Sequence, residues 1–200
     1  MPELPEVETS VQAIQEFAGQ NIESIKINNP NLRWKLDSLA FSKLKKQRVK
    51  TIYRRAKYIL FKLEKNMVLI HLGMTGTLRI AEKSSNFYKK HDHVEFIFLK
   101  NKLIFNDPRR FGSMHIISDP NKHFLLKELG VEPLSKEFNE EYLFHRIKKS
   151  LSPIKTALMN QKHVVGIGNI YASEILFDAK IRPTRKSRTL TKKEMARITT

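Results

Sequence analysis

The chain opens Met-Pro-Glu-Leu-Pro-Glu-Val-Glu, which places a proline directly after the initiator methionine. Removal of Met1 is usual before a small residue, and it would give Pro2 a terminal secondary amine. A free α-amino group titrates near ~8 and a lysine near ~10.4, so at neutral pH the terminus is the more available nucleophile. Condensation of this amine with a sugar aldehyde equivalent gives an iminium ion, which is an electron sink for β-elimination. The opening residues therefore predict covalent chemistry at the chain end.

Glu3 follows the candidate nucleophile and could protonate a sugar ring oxygen while the amine attacks. A purely structural interpretation is also open. Pro5 suits the first turn of a helix, and Glu6 and Glu8 suit the positive end of the helix dipole. On these residues alone, the structural interpretation is the simpler one.

The charge of the chain favours a polyanionic partner. There are 37 Lys and Arg against 20 Asp and Glu, a formal net charge of +17 on 200 residues. Nucleic acid is the first candidate, because the basic residues are dispersed and no stretch approaches the ~18 apolar residues of a membrane-spanning helix. The chain has no cysteine, which excludes disulfides and thiolate metal sites and is typical of a cytosolic protein.

The helices and strands that must position Pro2 and Glu3 can be read from the hydrophobic pattern, which changes near residue 120. Up to that point, a helical stripe over residues 7–17 is followed by short apolar or alternating runs, which predict an antiparallel sandwich or barrel. The runs are residues 22–27, 49–53, 58–63, 67–72, 77–80, 94–99, 102–105 and 113–117.

After a plausible linker at residues 119–121, the apolar period becomes helical. Thr191 and Glu194 have the spacing of a capping box. Asn169 follows Gly-Ile-Gly and could cap a helix while backbone amides form an anion site. The predicted helices cover residues 124–129, 140–149, 154–161 and 169–178, with one more opening near Thr191.

Six blocks of the chain, in this order, resemble the formamidopyrimidine-DNA glycosylase family. The first is the opening itself. The others are Arg-Arg-Ala-Lys-Tyr (54–58), His-Leu-Gly-Met-Thr-Gly (71–76), Lys-His-Asp-His-Val (90–94), Asp-Pro-Arg-Arg-Phe-Gly (107–112) and Val-Gly-Ile-Gly-Asn-Ile-Tyr-Ala-Ser-Glu (165–174). One such block would be weak evidence of relationship, whereas six in family order make chance similarity very unlikely.

The resemblance implies an α+β chain. It predicts an N-terminal β-sandwich catalytic domain with a catalytic N-terminal helix at residues 1–118, and a hinge and linking helix at 119–134. An all-α helix-two-turn-helix DNA-binding domain is predicted at 135–200. DNA is expected in the cleft between the two domains.

The resemblance also assigns the chemistry. Pro2 matches the Schiff-base nucleophile and Glu3 the general acid of base excision. Lys57 matches a lysine that contacts phosphate near the lesion and assists strand cleavage. Taken without the resemblance, Lys57 would more often belong to a solvated basic face.

Further positions match the DNA contacts of the family. Met74, Arg109 and Phe111 match the side chains that fill the space left by an extruded nucleotide, for which an adaptable filler, a hydrogen-bond donor and a wedge are suited. Ordinary burial is the alternative for these three. Phosphate or other DNA contacts are implied for His91, Lys155 and Asn169.

His93, close to His91, could be a structural histidine, and a metal site formed by these two histidines is the less favoured alternative.

The implied function is base-excision repair by a bifunctional glycosylase and apurinic/apyrimidinic lyase that acts on 8-oxoguanine and formamidopyrimidines in double-stranded DNA. An endonuclease VIII-like enzyme for oxidised pyrimidines is one alternative. The family pattern continues into a four-cysteine zinc finger, which is missing from these 200 residues, so a truncated DNA-binding relic is another. No cofactor is expected for this chain, and zinc only for a longer form. We expect a cytoplasmic, nucleoid-associated monomer without membrane contact.

Overall fold

The computed structural model describes residues 1–200, which divide into two units, Met1–His123 and Phe124–Thr200. The first unit carries all eight strands, and each lies on one of the apolar runs predicted from the sequence. They are β1 (Ser24–Ile27), β2 (Val49–Arg55), β3 (Tyr58–Leu63), β4 (Met67–His71), β5 (Thr77–Glu82), β6 (Asp92–Ile97), β7 (Asn101–Asn106) and β8 (Ser113–Ile117).

The strands form two four-stranded antiparallel sheets, in the orders β1-β6-β7-β5 and β2-β3-β4-β8. One face of each sheet supplies a shared hydrophobic core, since successive side chains of a strand point to opposite faces. On β7, for example, Leu103 and Phe105 belong to this core. The spacing of the runs allows a sandwich or a barrel, and the two separate sheets confirm the sandwich that the resemblance implies.

Helix α1 (Leu4–Ala13) begins directly after Glu3, which is its N-cap residue. The backbone N–H of Glu3 donates to Oε2 of Glu6 at 2.9 Å. Val7 and Val11 are buried in the sandwich core. Packing of this apolar stripe fixes the helix on the sandwich, and with it the position of the chain start.

Helix α2 (Ser38–Ser42) was not predicted from the sequence. It is too short to show a helical period, and it depends on a cap and on burial. Oδ1 of Asp37 accepts a hydrogen bond from the N–H of Ala40 at 3.0 Å, and Phe41 is buried in the sandwich core.

The second unit is helical and has its own core. The predicted capping box is present, with Thr191 and Glu194 bonding each other's backbone N–H. No helix of the chain has the length and apolar character needed to cross a membrane. The helices are α3 (Glu140–Ile147), α4 (Ile154–Met159), α5 (Asn169–Asp178) and α6 (Lys192–Thr199).

The helix predicted over residues 124–129 does not form, so that part of the predicted linking helix is wrong. The segment consists of turns, in which the N–H of Leu129 bonds the carbonyl of Leu126 at 3.1 Å. Beyond it, the N–H of Gly130 bonds the carbonyl of Gln161 at 2.8 Å. Six apolar-rich residues are too few to offset the cost of helix nucleation, so long-range bonds decide the conformation.

Candidate functional site

The chain start lies at a groove of about 730 Å³ in the first unit. The groove has three arginines in its lining and no acidic residue, so its field favours an anionic ligand. All three predicted void-filling side chains, Met74, Arg109 and Phe111, line the groove. The full lining is Met1, Asn31, Leu32, Arg33, His71, Gly73, Met74, Arg109, Arg110 and Phe111.

Pro2 lies between Met1, which lines the groove, and Glu3, which is only 3% exposed. Lys57, in the tight turn between β2 and β3, is 6% exposed. Burial lowers the pKa of Lys57, and the carboxylates of Glu3 and Glu6 partly offset this by favouring the charged ammonium. The tertiary structure therefore brings the predicted nucleophile, acid and lysine into one region.

His71 at the end of β4 is a site residue that the sequence reasoning did not single out, although it opens one of the quoted blocks. The backbone N–H of Gly73 donates to its Nδ1 at 3.1 Å. Burial, with the nearby charges of Arg33 and Lys57, lowers the pKa of His71 to about 4. The ring is neutral at pH 7, so Nε2 carries the hydrogen and is the donor.

The depressed pKa of His71 predicts a pH-dependent stability. Its ordinary value is 6.5, so as the pH falls the unfolded chain takes up the proton first. The stabilising contribution is complete above about pH 6.5 and is lost as the pH falls towards 4. Between pH 7 and pH 4, the free energy of unfolding, measured with denaturant, should therefore fall by about 2–3 kcal/mol less in His71→Gln than in the native chain. His145→Gln, an exposed change, is the control, and parallel profiles for the native chain and His71→Gln would contradict the assignment.

Asp107 fixes the two loops that carry the void-filling side chains. Its carboxylate is fully buried and accepts from Oγ1 of Thr75 at 2.5 Å and from the N–H of Gly112 at 2.8 Å. Gly73 has a φ of 66°, and a Cβ there would lie 2.4 Å from the nitrogen of Gly112. The loops thus approach too closely for any side chain at Gly73. Neither Asp107 nor Thr75 was predicted as a site residue, because only the tertiary contact reveals their role.

The predicted void-filling side chains project from these fixed loops. Met74 is 43% and Phe111 45% exposed, so ordinary burial does not account for them. The guanidinium carbon of Arg109 lies 4.6 Å from the centroid of the Phe111 ring, within cation-π distance. Large apolar groups held in solvent on a rigid loop are suited to insertion into a stack of bases.

His91 and His93 differ in their environments. His91 has a φ of 76°, and its carbonyl accepts from the N–H of Asp107 at 3.1 Å. Nε2 of His93 is buried and lies 2.7 Å from the carbonyl oxygen of Asp107. His93 is therefore a structural hydrogen-bonding residue rather than a metal ligand. His91 instead bonds through its backbone to the loop that begins at Asp107.

Lys155 and Asn169 form a separate group in the second unit. Nζ of Lys155 donates to Oγ of Ser173 at 2.8 Å, and that hydroxyl donates to the carbonyl of Asn169 at 2.9 Å. The predicted capping role of Asn169 is wrong, because Gly168 is the N-cap of α5 and Asn169 is the first helical residue. The extended backbone of Gly168 already starts the helix, so the Asn169 side chain lies one position too late to cap it.

The residues present do not fit a zinc ion. The chain has no cysteine, and no three His, Asp or Glu side chains group in a way that could hold a metal. A structural zinc site needs four such ligands.

Two domain families match the chain. The formamidopyrimidine-DNA glycosylase N-terminal domain matches residues 1–114, and the H2TH domain of the same enzymes matches residues 129–200. The formamidopyrimidine-DNA glycosylase of Hydrogenovibrio crunogenus is 45% identical over 202 residues, covering 100% of this chain and 72% of the relative. That of Marinobacter nauticus is 44% identical and covers 94% and 70%, respectively.

Solved structures agree with the sequence matches. The Lactococcus lactis enzyme mutant G226P, in complex with a Fapy-dG containing DNA, is 33% identical with a TM-score of 0.91, covering 99% of this chain and 74% of that one. The same enzyme bound non-covalently to DNA with an abasic site has a TM-score of 0.90 at 33% identity, covering 98% and 77%. Both the sequence and the fold, across the two units, therefore place this chain in the formamidopyrimidine-DNA glycosylase family.

Proposed function

We propose that this chain is a bifunctional DNA glycosylase and apurinic/apyrimidinic lyase for oxidised purines in double-stranded DNA. The observation that carries the proposal is the arginine-lined groove at the chain start, next to the buried Glu3 and Lys57. The groove suits a phosphodiester, and a terminal amine beside a carboxyl group suits attack on a sugar. Because its substrate is chromosomal DNA and its relatives are bacterial enzymes, we place it in the cytoplasm.

The reaction begins once Met1 has been removed. The nitrogen of Pro2 forms a bond with C1′ of the damaged nucleotide as the bond from C1′ to the base breaks, and the departing base takes up the proton that the Pro2 nitrogen loses. Glu3 then delivers a proton to the ring oxygen, the C1′–O4′ bond breaks, and the nitrogen lone pair forms the double bond of an iminium ion. The resulting iminium ion acidifies the C2′ position. Loss of a C2′ proton then breaks the C3′–O bond and cuts the strand. Water finally hydrolyses the iminium and restores the amine.

The remaining site residues bind and distort the DNA. Met74, Arg109 and Phe111 fill the space of the extruded nucleotide, at a cost in base stacking of a few kcal/mol that their contacts offset. Lys57 and His91 contact phosphates near the lesion. In the second unit, Lys155 and the start of α5 at Asn169 bind the backbone by charge and by peptide N–H groups.

An excision assay tests the proposal and separates it from both alternatives. We expect strand cleavage of a duplex containing 8-oxoguanine or formamidopyrimidine to be faster than that of a duplex containing an oxidised pyrimidine. Preference for the pyrimidine lesion would support the endonuclease VIII-like alternative. Binding of lesion DNA without any cleavage would support a DNA-binding protein without turnover.

Replacement of Arg109 tests how the lesion is distinguished from normal DNA. Arg109→Ala should weaken binding to a lesion duplex by about 1–3 kcal/mol, because its donors face the vacated base position. Binding to undamaged duplex should change little, and the slope of log K against log salt should shift by no more than about 0.9, the value for one phosphate contact. Fluorescence anisotropy over a salt series measures both. Equal losses on the two duplexes would show a phosphate contact instead.

A further inference from the structure

Residues 83–91, Lys-Ser-Ser-Asn-Phe-Tyr-Lys-Lys-His, which we name the aromatic loop, connect β5 to β6. The loop contains three lysines and no acidic residue. Its first half is held at one end of the sheet. The N–H of Lys83 donates to the carbonyl of Lys100 at 2.8 Å, and Nζ of Lys102 donates to the carbonyl of Ser85 at 2.9 Å.

The second half is held at the other end of the same sheet. The N–H of Lys89 donates to Oδ2 of Asp92 at 2.9 Å, and Nδ2 of Asn106 donates to the carbonyl of Lys90 at 3.1 Å. Because Asn101 and Asn106 are the two ends of β7, the loop runs along the sheet from one end to the other. The backbone of the loop is therefore anchored to the sheet at both ends.

Two large aromatic side chains at the centre of the loop face solvent. Phe87 is 62% and Tyr88 is 56% exposed. The guanidinium carbon of Arg79 lies 5.9 Å from the Phe87 ring centroid, and Nζ of Lys89 lies 5.8 Å from it. Exposed aromatic rings flanked by cations have the composition of a surface that stacks bases and neutralises phosphates.

The loop is continuous with the candidate site. It ends at His91, whose carbonyl accepts from the N–H of Asp107 at 3.1 Å, and Asp107 fixes the loop that carries Arg109 and Phe111. The same nucleic acid can therefore leave the lesion site and pass over the aromatic loop. This continuity favours nucleic acid over a membrane or a protein as the partner of Phe87 and Tyr88.

We propose that the aromatic loop is a second nucleic-acid contact, which binds unpaired nucleotides by stacking them on Phe87 and Tyr88 while Lys89 contacts their phosphates. Arg79 lies against the Phe87 ring but is paired with the buried Asp92, with 2.6 Å between Nη2 and Oδ2, so it supports the ring rather than the phosphate. Inside a duplex both faces of each base are already stacked, so without insertion into the stack only an unpaired base offers a free face to an aromatic ring. The loop thus directs the enzyme to lesions beside gaps, bubbles or frayed ends. This inference rests on the proposed function for its DNA partner, but its test needs no catalysis.

The test measures binding of undamaged oligonucleotides by fluorescence anisotropy. Phe87→Ala/Tyr88→Ala should weaken binding of a single-stranded oligonucleotide by at least about 5- to 150-fold, the range for losing one stacked base, because it removes both stacking rings, and it should change duplex binding less than 2-fold. Phe87→Trp should retain single-strand binding. Phe87→Leu keeps an apolar side chain without the ring face, and it should lose several-fold. Phe177→Ala, which removes an 84% exposed phenylalanine from α5, is the matched control and should change neither.

The outcomes separate this proposal from the proposed function. Equal losses on single strand and duplex, or no loss on either, would overturn the stacking role. Binding to anionic lipid vesicles that depends on Phe87 and Tyr88, with single-strand binding intact, would replace nucleic acid by a membrane surface. Failure of the protein to excise any lesion would overturn the proposed function alone, because the oligonucleotides here carry no damage. Unchanged thermal unfolding midpoints, measured for Phe87→Ala/Tyr88→Ala and for Phe87→Leu, establish that both loop variants are folded.

Discussion

Borohydride added to the processed protein and an abasic-site duplex is expected to yield a covalent adduct that peptide mapping places on Pro2. Reduction converts the iminium ion between the terminal nitrogen and C1′ into a stable amine, and so it records the nucleophile directly. Inserting one bulky residue between Met1 and Pro2 blocks methionine removal and turns the Pro2 nitrogen into an amide. Trapping by that variant should fall below detection, while its binding to the abasic duplex persists.

Lys57 is the rival nucleophile. Burial lowers its pKa, which increases the fraction of free amine, although the side chain is only 6% exposed. Lys57→Arg keeps the positive charge and removes the competing amine, so trapping at Pro2 should continue in this variant. An adduct on Lys57 in the native chain, or efficient trapping by the extended variant, would show that the terminal amine is not the nucleophile.

Replacing Glu3 by glutamine should slow excision of 8-oxoguanine by about 10²- to 10⁴-fold, the usual contribution of a positioned general acid. The amide is nearly isosteric but has no proton to give to the ring oxygen. Borohydride trapping on a preformed abasic site should fall much less, because the abasic sugar is a hemiacetal that opens to its aldehyde without a proton from Glu3. Single-turnover rates of excision and of trapping, measured on the same preparations, give the fold-change that Glu3→Gln causes in each reaction.

A matched control removes the same charge from the same helix. Glu8 lies on α1 and forms an ion pair with Arg54, with 2.8 Å between Oε2 and Nε, and its side chain is 39% exposed. Glu8→Gln should change excision less than 3-fold, since the Glu8 carboxylate is paired with Arg54 and takes part in no step of the proposed reaction. Equal losses in the Glu3 and Glu8 variants would assign the effect to the helix or the local field rather than to proton donation.

Most of the fold could be predicted from the sequence because strand periodicity is local. All eight strands were predicted, and β3 and β8 have the predicted ends. The alternation of apolar and polar residues decides which face of each strand is buried, so the spacing predicts an antiparallel sandwich or barrel. Only the strand pairing, which gives two separate sheets, decides for the sandwich. Helix α2 was missed and residues 124–129 were wrongly predicted as helical. Both segments are shorter than two helical turns, and long-range contacts determine their conformation.

The sequence by itself determined the adjacency of the terminal amine and Glu3, the excess of positive charge and the order of the family blocks. Only the tertiary structure placed Lys57 with Glu3, lowered the pKa of His71 and joined two distant loops through the buried carboxylate of Asp107. These features depend on desolvation and on hydrogen bonds between residues far apart in the chain. Chemical type is a property of single residues, whereas protonation and rigidity are set by the neighbours that folding supplies.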